Sequence, residues 1–156
     1  MIVFLDTGII GLLCSPRKAG EAKQCKEWLY RLLAKSVYVV SSDLCDYEVR
    51  RSLLLNLIKN PSTARGIENL DRLPEVIEFL PLTKSVMIKA AELWAETQSQ
   101  GLPTADVKTI DADIIIGAQS QLFQEEYPGQ YLIIATTNLK HLKRFGEAKI
   151  WQEIEF

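Results

Sequence analysis

The sequence has few of the residues that build disulfide frameworks or zinc sites. Its 156 residues include three cysteines and one histidine, and Cys14, Cys25 and Cys45 have no Cys-x-x-Cys spacing. An odd number of cysteines without that spacing indicates reduced thiols in a cytoplasmic protein, and it argues against a disulfide scaffold or a zinc centre. The single His141 is more typical of a surface or packing position than of a metal ligand.

Long apolar runs and glycine-rich phosphate loops are also missing. No apolar stretch approaches the ~18–20 residues that a membrane span requires. The first apolar run has no basic flank and no small-residue cleavage site, which argues against a signal peptide. Neither Gly-x-Gly-x-x-Gly nor Gly-x-x-x-x-Gly-Lys occurs, so the common nucleotide-binding loops are excluded. We expect a single cytoplasmic domain over residues 1–156, without membrane contact.

Positive and negative charges are nearly balanced, with 18 Lys and Arg against 20 Asp and Glu and a net charge of −2. A protein that binds nucleic acid through its overall field should be basic, so this balance argues against strong non-specific binding. It does not exclude a nucleic-acid enzyme, because an acidic metal site subtracts charge that bound cations restore. The basic cluster Lys140, Lys143 and Arg144 is either a phosphate-binding segment or a solvated turn.

Short apolar runs alternate with amphipathic segments along the chain. Strands are predicted at 2–5, 37–40, 79–82 and 131–135, with a candidate last strand at 149–153. Helical segments are predicted at 9–13, 19–35, 44–58, 64–72, 85–98 and 111–124. This alternation predicts an α/β fold in which a central, mainly parallel sheet is flanked by helices, an α/β/α sandwich.

Acidic residues stand where these apolar runs end or turn. Asp6 follows the first strand and is either a helix N-cap or a metal ligand. Glu48 projects between Leu44, Ser52 and Leu55 of an apolar helix, which predicts a buried role. Carboxylates buried near one another are unfavourable unless cations compensate them. Because α/β sheets bring strand ends to one crevice, the pattern predicts a divalent-metal site.

A further acidic pair opens the helix predicted at 111–124. Asp111 and Asp113 are two residues apart, so in a helix they point to nearly opposite sides. Asp113 shares its face with Ile116, Gly117 and Ser120, a small and mostly uncharged strip suited to packing against the sheet. This favours Asp113 as the ligand, while Asp111 is either a second ligand or the helix cap.

Asn138 follows the strand predicted at 131–135 and is a further candidate. An asparagine can bind a hard cation through its carbonyl oxygen, or it can cap the next turn. The residue by itself favours the capping role. The apolar residues around 53–57 are likewise open to two interpretations, as a dimer face or as core.

Four segments together resemble the PIN domain, the ribonuclease fold of VapC-type toxins in toxin–antitoxin systems. They are VFLDT (3–7), LCDYEVRR (44–51), DIIIGA (113–118) and IATTNLKHL (134–142). The last is similar to a PIN subgroup with Thr-x-Asn and a following histidine. Each segment is weak alone, but the four occur in the family's order and spacing over nearly the whole chain. Their alignment favours Asp113 over Asp111.

The resemblance implies an endoribonuclease that uses Mg²⁺ or Mn²⁺ to hydrolyse RNA phosphodiester bonds, acting as the toxin of a toxin–antitoxin pair. It implies RNA and a cognate antitoxin as partners and a homodimer as the assembly. Asp6 and Asp113 would hold the principal metal, and Glu48 would hold or orient the attacking water. Asn138, with Thr137, would complete the ligand set.

The same resemblance places RNA-contacting residues around the metal. Thr7 and Thr137 flank two of the acidic segments, and Lys140, Lys143 and Arg144 would hold the RNA backbone through its phosphates. These five residues are the predicted substrate-binding set.

One departure from the family pattern matters. Many PIN domains carry a fourth aspartate where this chain has Asn138, and a neutral ligand would weaken a second metal position. The alternative interpretation is therefore a catalytically weak PIN domain that acts as an RNA- or protein-binding module. A haloacid-dehalogenase-type phosphatase built on Asp6 is discounted, because Gly8 stands where that family needs a second aspartate.

Overall fold

The computed structural model describes the backbone of residues 1–101 and 107–156 and the side chains of residues 1–101 and 111–156. Within these residues five strands form one sheet: β1 (Ile2–Leu5), β2 (Tyr38–Ser42), β3 (Glu78–Leu80), β4 (Leu132–Thr136) and β5 (Ala148–Ile150). Their order is β3-β2-β1-β4-β5, and every neighbouring pair is parallel. The predicted parallel α/β sheet is therefore confirmed.

Six α-helices accompany the sheet within the described backbone. They are α1 (Thr7–Cys14), α2 (Gly20–Ala34), α3 (Asp43–Lys59), α4 (Arg65–Arg72), α5 (Lys84–Ser99) and α6 (Val107–Glu126). Each corresponds to a helical segment predicted from the sequence. No helix among the described residues is both long enough and apolar enough to cross a membrane.

The chain reverses its direction across the sheet between β1 and β4. From β1 the chain moves outward through β2 to β3, then crosses back to β4 on the other side of β1 and continues to β5. Parallel crossovers are nearly always right-handed, so the two directions place their helices on opposite faces. In folds of this kind a crevice opens at the carboxyl ends of the strands where the direction reverses. That crevice lies beside the residues that follow β1 and β4.

The central strands form the core of the molecule. Ile2 to Leu5 are at most 1% exposed, and Leu132 to Ala135 are at most 7% exposed. Because helices cover both faces of the sheet, the sequences of these strands are continuous apolar runs in which apolar and polar residues do not alternate. Cys14, Cys25 and Cys45 are free and buried beside this core, and burial raises the pKa of each thiol to about 12.

Three details differ from the sequence prediction. Helix α6 begins at Val107 and not at Asp111, so Asp111 lies inside the helix and the cap interpretation is wrong. The tail forms a short strand that ends at Ile150, and a 3-10 turn follows it. Gly117 contacts Phe145, because the chain after β4 folds back over α6, a neighbour that the sequence did not indicate.

Candidate metal centre

Asp6 is placed by the end of β1 and the start of α1. It is the N-cap of α1, with its Oδ1 accepting the backbone N–H of Ile9 at 3.0 Å. The N-cap interpretation is thus confirmed. The side chain is only 8% exposed, so a carboxylate is held at the switch point of the sheet with one oxygen committed to the helix.

The second oxygen of Asp6 accepts a hydrogen bond from the hydroxyl of Thr136. Thr136 is fully buried at the end of β4. Its own oxygen also accepts the backbone N–H of Asn138 at 2.9 Å. The sequence pattern points to Thr137 and Asn138 and not to Thr136. The register of the strands identifies Thr136. Leu5 lies opposite Ala135, so the residues that follow them, Asp6 and Thr136, must also lie side by side across the parallel pair.

Glu48 reaches the same crevice from α3, whose N-cap, Ser42, is the last residue of β2. Its Oε1 accepts the hydroxyl of Thr7 at 2.7 Å. Its Oε2 lies 3.5 Å from a guanidinium nitrogen of Arg51, and the Glu48 side chain is 18% exposed. Glu48 is therefore half-buried, and its neighbours Ser52 and Leu55 on the same helix are exposed, so its partial burial comes from Thr7 and α1 and not from an apolar helix face. Arg51 is a contact that the acidic pattern did not reveal.

The carboxyl group of Asp113 is affected by the charges of the first two carboxylates, Asp6 and Glu48. Burial on α6 raises its pKa to about 6, with further contributions from the charges of Asp6 and Glu48. Burial likewise raises the pKa of Asp6 against the hydrogen bonds from Thr136 and Ile9, and the charge of Glu48 adds to the rise. The three acidic residues named from the sequence thus lie close enough to repel one another.

Carboxylates that repel one another are the oxygen donors that a hard divalent cation prefers, so the chemistry of this set fits Mg²⁺ or Mn²⁺. The present orientation of these side chains, however, does not form a complete metal-binding site. Among the residues with described side chains, no three Asp, Glu, His or Cys are arranged so that they could hold an ion as they stand. Asp6 and Glu48 are tied by hydrogen bonds from Ile9, Thr136 and Thr7. Binding an ion would require these carboxylates to turn.

The remaining candidate ligands lie at the edge of this site. Asn138 is exposed, and its Oδ1 accepts the backbone N–H of Lys140 at 3.1 Å, which confirms the turn-capping role. Asp111 is exposed on α6. Thr137 is exposed and packs so closely on Gly8 that a Cβ on Gly8 would overlap its hydroxyl. Glycine at that position lets the start of α1 approach the chain after β4 closely.

The basic cluster follows the same strand end. Lys140, Lys143 and Arg144 are exposed, and Lys143 and Arg144 belong to a 3-10 turn. Burial lowers the pKa of His141, and the charges of Lys140 and Arg144 lower it further. The cluster therefore presents concentrated positive charge on the chain segment that leaves the acidic crevice.

Comparison with known proteins finds a likeness in three dimensions. No protein-family model matches the chain, and no curated protein matches its sequence. Among solved structures, VapBC2 from Rickettsia felis, bound to a DNA fragment from its promoter, has a TM-score of 0.62 and 18% identity and covers 96% of this chain and 98% of its own. FitAcB from Neisseria gonorrhoeae has a TM-score of 0.68 and 20% identity, with 97% and 99% covered.

VapBC-1 from nontypeable Haemophilus influenzae gives a similar result, with a TM-score of 0.66, 17% identity and coverage of 98% and 100%. The PIN-like fold is confirmed. At these identities the likeness shows a shared fold, and the chemistry of the chain has to be argued from its own residues.

Proposed function

We propose that this chain is a Mg²⁺- or Mn²⁺-dependent endoribonuclease of the PIN type and the toxin of a toxin–antitoxin pair. The proposal is supported by Asp113, whose pKa is raised first by burial and further by the charges of Asp6 and Glu48, and by the position of Asp6 and of the Glu48–Thr7 hydrogen bond at the end of β1. The shared fold with VapBC and FitAB proteins supports it.

Asp6, Glu48 and Asp113 would hold the ion, with Asn138 at the edge of the set and Asp111 as a further candidate. The bound ion would polarise the scissile phosphate and lower the pKa of an attacking water. The chain's own contribution is to hold the donors. Ile9 and Thr136 donate to Asp6, while Thr7 and Arg51 contact Glu48, so these groups hold the two carboxylates beside the crevice until an ion draws them to it.

RNA would reach this site across the basic cluster. Lys140, Lys143 and Arg144 offer exposed cations for backbone phosphates, which position the strand without reading its sequence. Thr137 stands between this cluster and the acidic crevice, and Thr7 lines the crevice itself. With a net charge of −2, the chain would rely on this local field for RNA binding.

A cognate antitoxin and a homodimer are the partners that we propose. VapBC2 and FitAB were both solved bound to DNA, and a toxin paired with a DNA-binding antitoxin fits such assemblies. For the dimer, the apolar segment around 53–57 exposes Leu54, Leu55 and the neighbouring Ile58. These side chains are therefore available to a second copy, as a dimer face requires.

The activity is tested by incubating purified protein and a structured RNA with Mn²⁺. Asp6→Asn keeps an N-capping side chain, so it and Asp113→Asn should fold while losing about 100-fold or more of the cleavage rate. Glu68→Gln, an exposed change on α4, is the matched control and should cleave like the unmodified chain. Equal cleavage by all four proteins would indicate a contaminating nuclease and refute the proposal.

The alternative is a catalytically weak module that binds RNA or protein. It is favoured by the side chain of Asn138, whose carbonyl already accepts a backbone N–H and would have to release it to reach an ion. A mobility-shift assay on the same samples separates the two functions. Stable RNA complexes without Mn²⁺-dependent cleavage would favour the binding module.

A further inference from the structure

Two exposed side chains of α3 lie beside Glu48, at the rim of the acidic crevice. Tyr47 is 57% exposed, and the side chain of Arg51 is also 57% exposed. Cζ of Arg51 lies 5.2 Å from the centroid of the Tyr47 ring, and one guanidinium nitrogen lies 3.5 Å from Oε2 of Glu48. An accessible aromatic ring and an accessible cation are therefore in contact with a candidate catalytic carboxylate.

The strand order places this pair and the basic cluster on opposite sides of Asp6. Asp6 follows the central strand β1, while α3 follows β2 and the basic cluster follows β4, and β2 and β4 are the two neighbours of β1. The hydrogen bond from Thr7 to Glu48 holds this part of α3 at the end of β1. A strand of RNA that is bound by the basic cluster and passes over Asp6 therefore continues toward Tyr47 and Arg51.

The chemistry of the pair fits one nucleotide. Unstacked RNA bases stack on tyrosine rings and on arginine guanidinium planes, and a guanidinium can bind a phosphate through two parallel hydrogen bonds. The separation of 3.5 Å between Arg51 and Glu48 is longer than a normal N–H···O hydrogen bond. Since a guanidinium carries five N–H donors, this weak contact leaves donors for a phosphate.

An interface between two copies is the competing use of these side chains. Leu54, Leu55 and Ile58 continue the exposed face of α3 beyond Arg51, and Tyr47 could extend that apolar face. Burying the guanidinium in an apolar interface would be costly, because its contact with Glu48 satisfies few of its donors. A solvated, anionic partner fits Arg51 better than an apolar one does.

We propose that Tyr47 and Arg51 bind one nucleotide of the RNA next to the cleaved bond, with the tyrosine ring stacking on its base and the guanidinium binding its phosphate. This inference rests on the proposed RNA substrate. It adds a preference for unpaired nucleotides, because a base has to leave its own stack to reach the ring.

Fluorescence anisotropy with a labelled oligoadenylate tests the proposal, in chelator so that RNA binding is measured without cleavage, and at low ionic strength. Tyr47→Ala should weaken binding about tenfold, and Tyr47→Phe should bind as the unmodified chain does. Arg51→Gln should weaken binding and reduce its salt dependence by about one phosphate contact. Tyr30→Ala removes a tyrosine of α2 that is 66% exposed and is the matched control.

An abasic strand of the same length separates stacking from a structural role of the ring. With no base to stack, the difference between Tyr47→Ala and the unmodified chain should disappear, while the effect of Arg51→Gln should remain. Equal losses on both strands would mean that the ring only supports the local structure, and this result would overturn the proposal.

Further outcomes distinguish this inference from the function on which it rests. Binding of oligoadenylate by the unmodified chain, with the same affinity for Tyr47→Ala, would refute the nucleotide contact alone. If Tyr47→Ala also dissociated a dimer in analytical ultracentrifugation, the ring would belong to an interface between copies. Absence of binding to either strand by the unmodified chain would refute the RNA substrate and this inference together.

Discussion

At the scale of single residues, the candidate metal centre depends on groups that are not themselves acidic. Thr136 donates to Asp6, and Thr7 donates to Glu48. The Thr136 hydroxyl lowers the pKa of Asp6, which burial raises, while the Thr7 hydroxyl holds one oxygen of Glu48 in place. Supporting donors of this kind orient metal ligands and tune their affinity.

The first prediction concerns the Thr136 hydroxyl. Thr136→Val keeps the branched shape but leaves an oxygen of buried Asp6 without its donor, so unfolding free energy at neutral pH should fall by about 1–3 kcal/mol. Urea unfolding measures this. Thr97→Val is the control, because Thr97 is also buried but donates only to Leu93 within its own helix. Equal losses in the two variants would mean that the Asp6 bond has no special role.

Asp113 supplies a prediction about pH. Its pKa is raised from 3.8 to about 6 in the folded chain, so the folded state holds the proton more tightly than the unfolded state. Its contribution to stability is therefore full below about pH 4 and is lost as pH rises through about 6. Asp113→Asn removes this loss, so in the presence of a chelator the variant should gain Tm over the unmodified chain at about pH 7.5 but little at about pH 4.5.

Thermal unfolding of both proteins across this pH range measures the difference. Asp111→Asn, an exposed change on the same helix, is the control and should leave the pH profile unaltered. A constant difference between Asp113→Asn and the unmodified chain at every pH would contradict a raised pKa of Asp113 and with it the buried, acidic surroundings on which the site is argued.

At the scale of helices and strands, two helical glycines distinguish the effect of helix propensity on stability from the effect of side-chain packing. Gly117 on α6 has no room for a side chain, because a Cβ would lie 2.7 Å from Cγ of Phe145. Gly11 on α1 has no atom within 4 Å of the same position. Both are helical and neither has a positive φ, so they differ mainly in their surroundings.

This pair gives a third prediction. Gly11→Ala should stabilise the chain by about 0.5–1 kcal/mol, since alanine loses less conformational entropy in a helix. Gly117→Ala should instead destabilise it by about 1–3 kcal/mol through overpacking. Chemical denaturation of both variants measures the two signs. Stabilisation by both substitutions would mean that Phe145 yields and that α6 is not held closely by the segment after β4.

The same elements indicate how far the sequence could predict the structure. The apolar run 2–5, the candidate cap Asp6 and the helix predicted at 44–58 matched β1, α1 and α3 closely, because their signals are local. The start of α6 was misplaced because Asp111 is a good cap by residue type, although Asp106, directly before Val107, is an equally suitable type. Thr136 was missed because its role arises from register between strands that are about 130 residues apart, which no local pattern encodes.

At the scale of the whole molecule, the candidate site consists of two neighbouring regions of opposite charge. The acidic crevice and the basic cluster adjoin along the chain after β4, while the net charge is only −2. A polyanionic substrate would therefore be attracted by one small region and repelled by the next until cations compensate the acids.

The fourth prediction tests this division. In Lys143→Gln/Arg144→Gln the KM for RNA should rise about tenfold with kcat little changed, and the salt dependence of binding should weaken, since about two phosphate contacts are lost. Arg17→Gln/Lys18→Gln, an exposed pair in the loop after α1, is the matched control. A change in kcat alone, or equal effects of both pairs, would exclude phosphate binding by the cluster.

The central claim is that Asp6, Glu48 and Asp113 share one divalent cation, and calorimetric titration with Mn²⁺ tests it most directly. We predict that the unmodified chain binds Mn²⁺ with a Kd below about 1 mM. Glu48→Gln and Asp113→Asn should each weaken binding about tenfold or more, while Glu68→Gln should leave it unaltered. Absence of binding below the millimolar range, or identical titrations for all four proteins, would contradict the account.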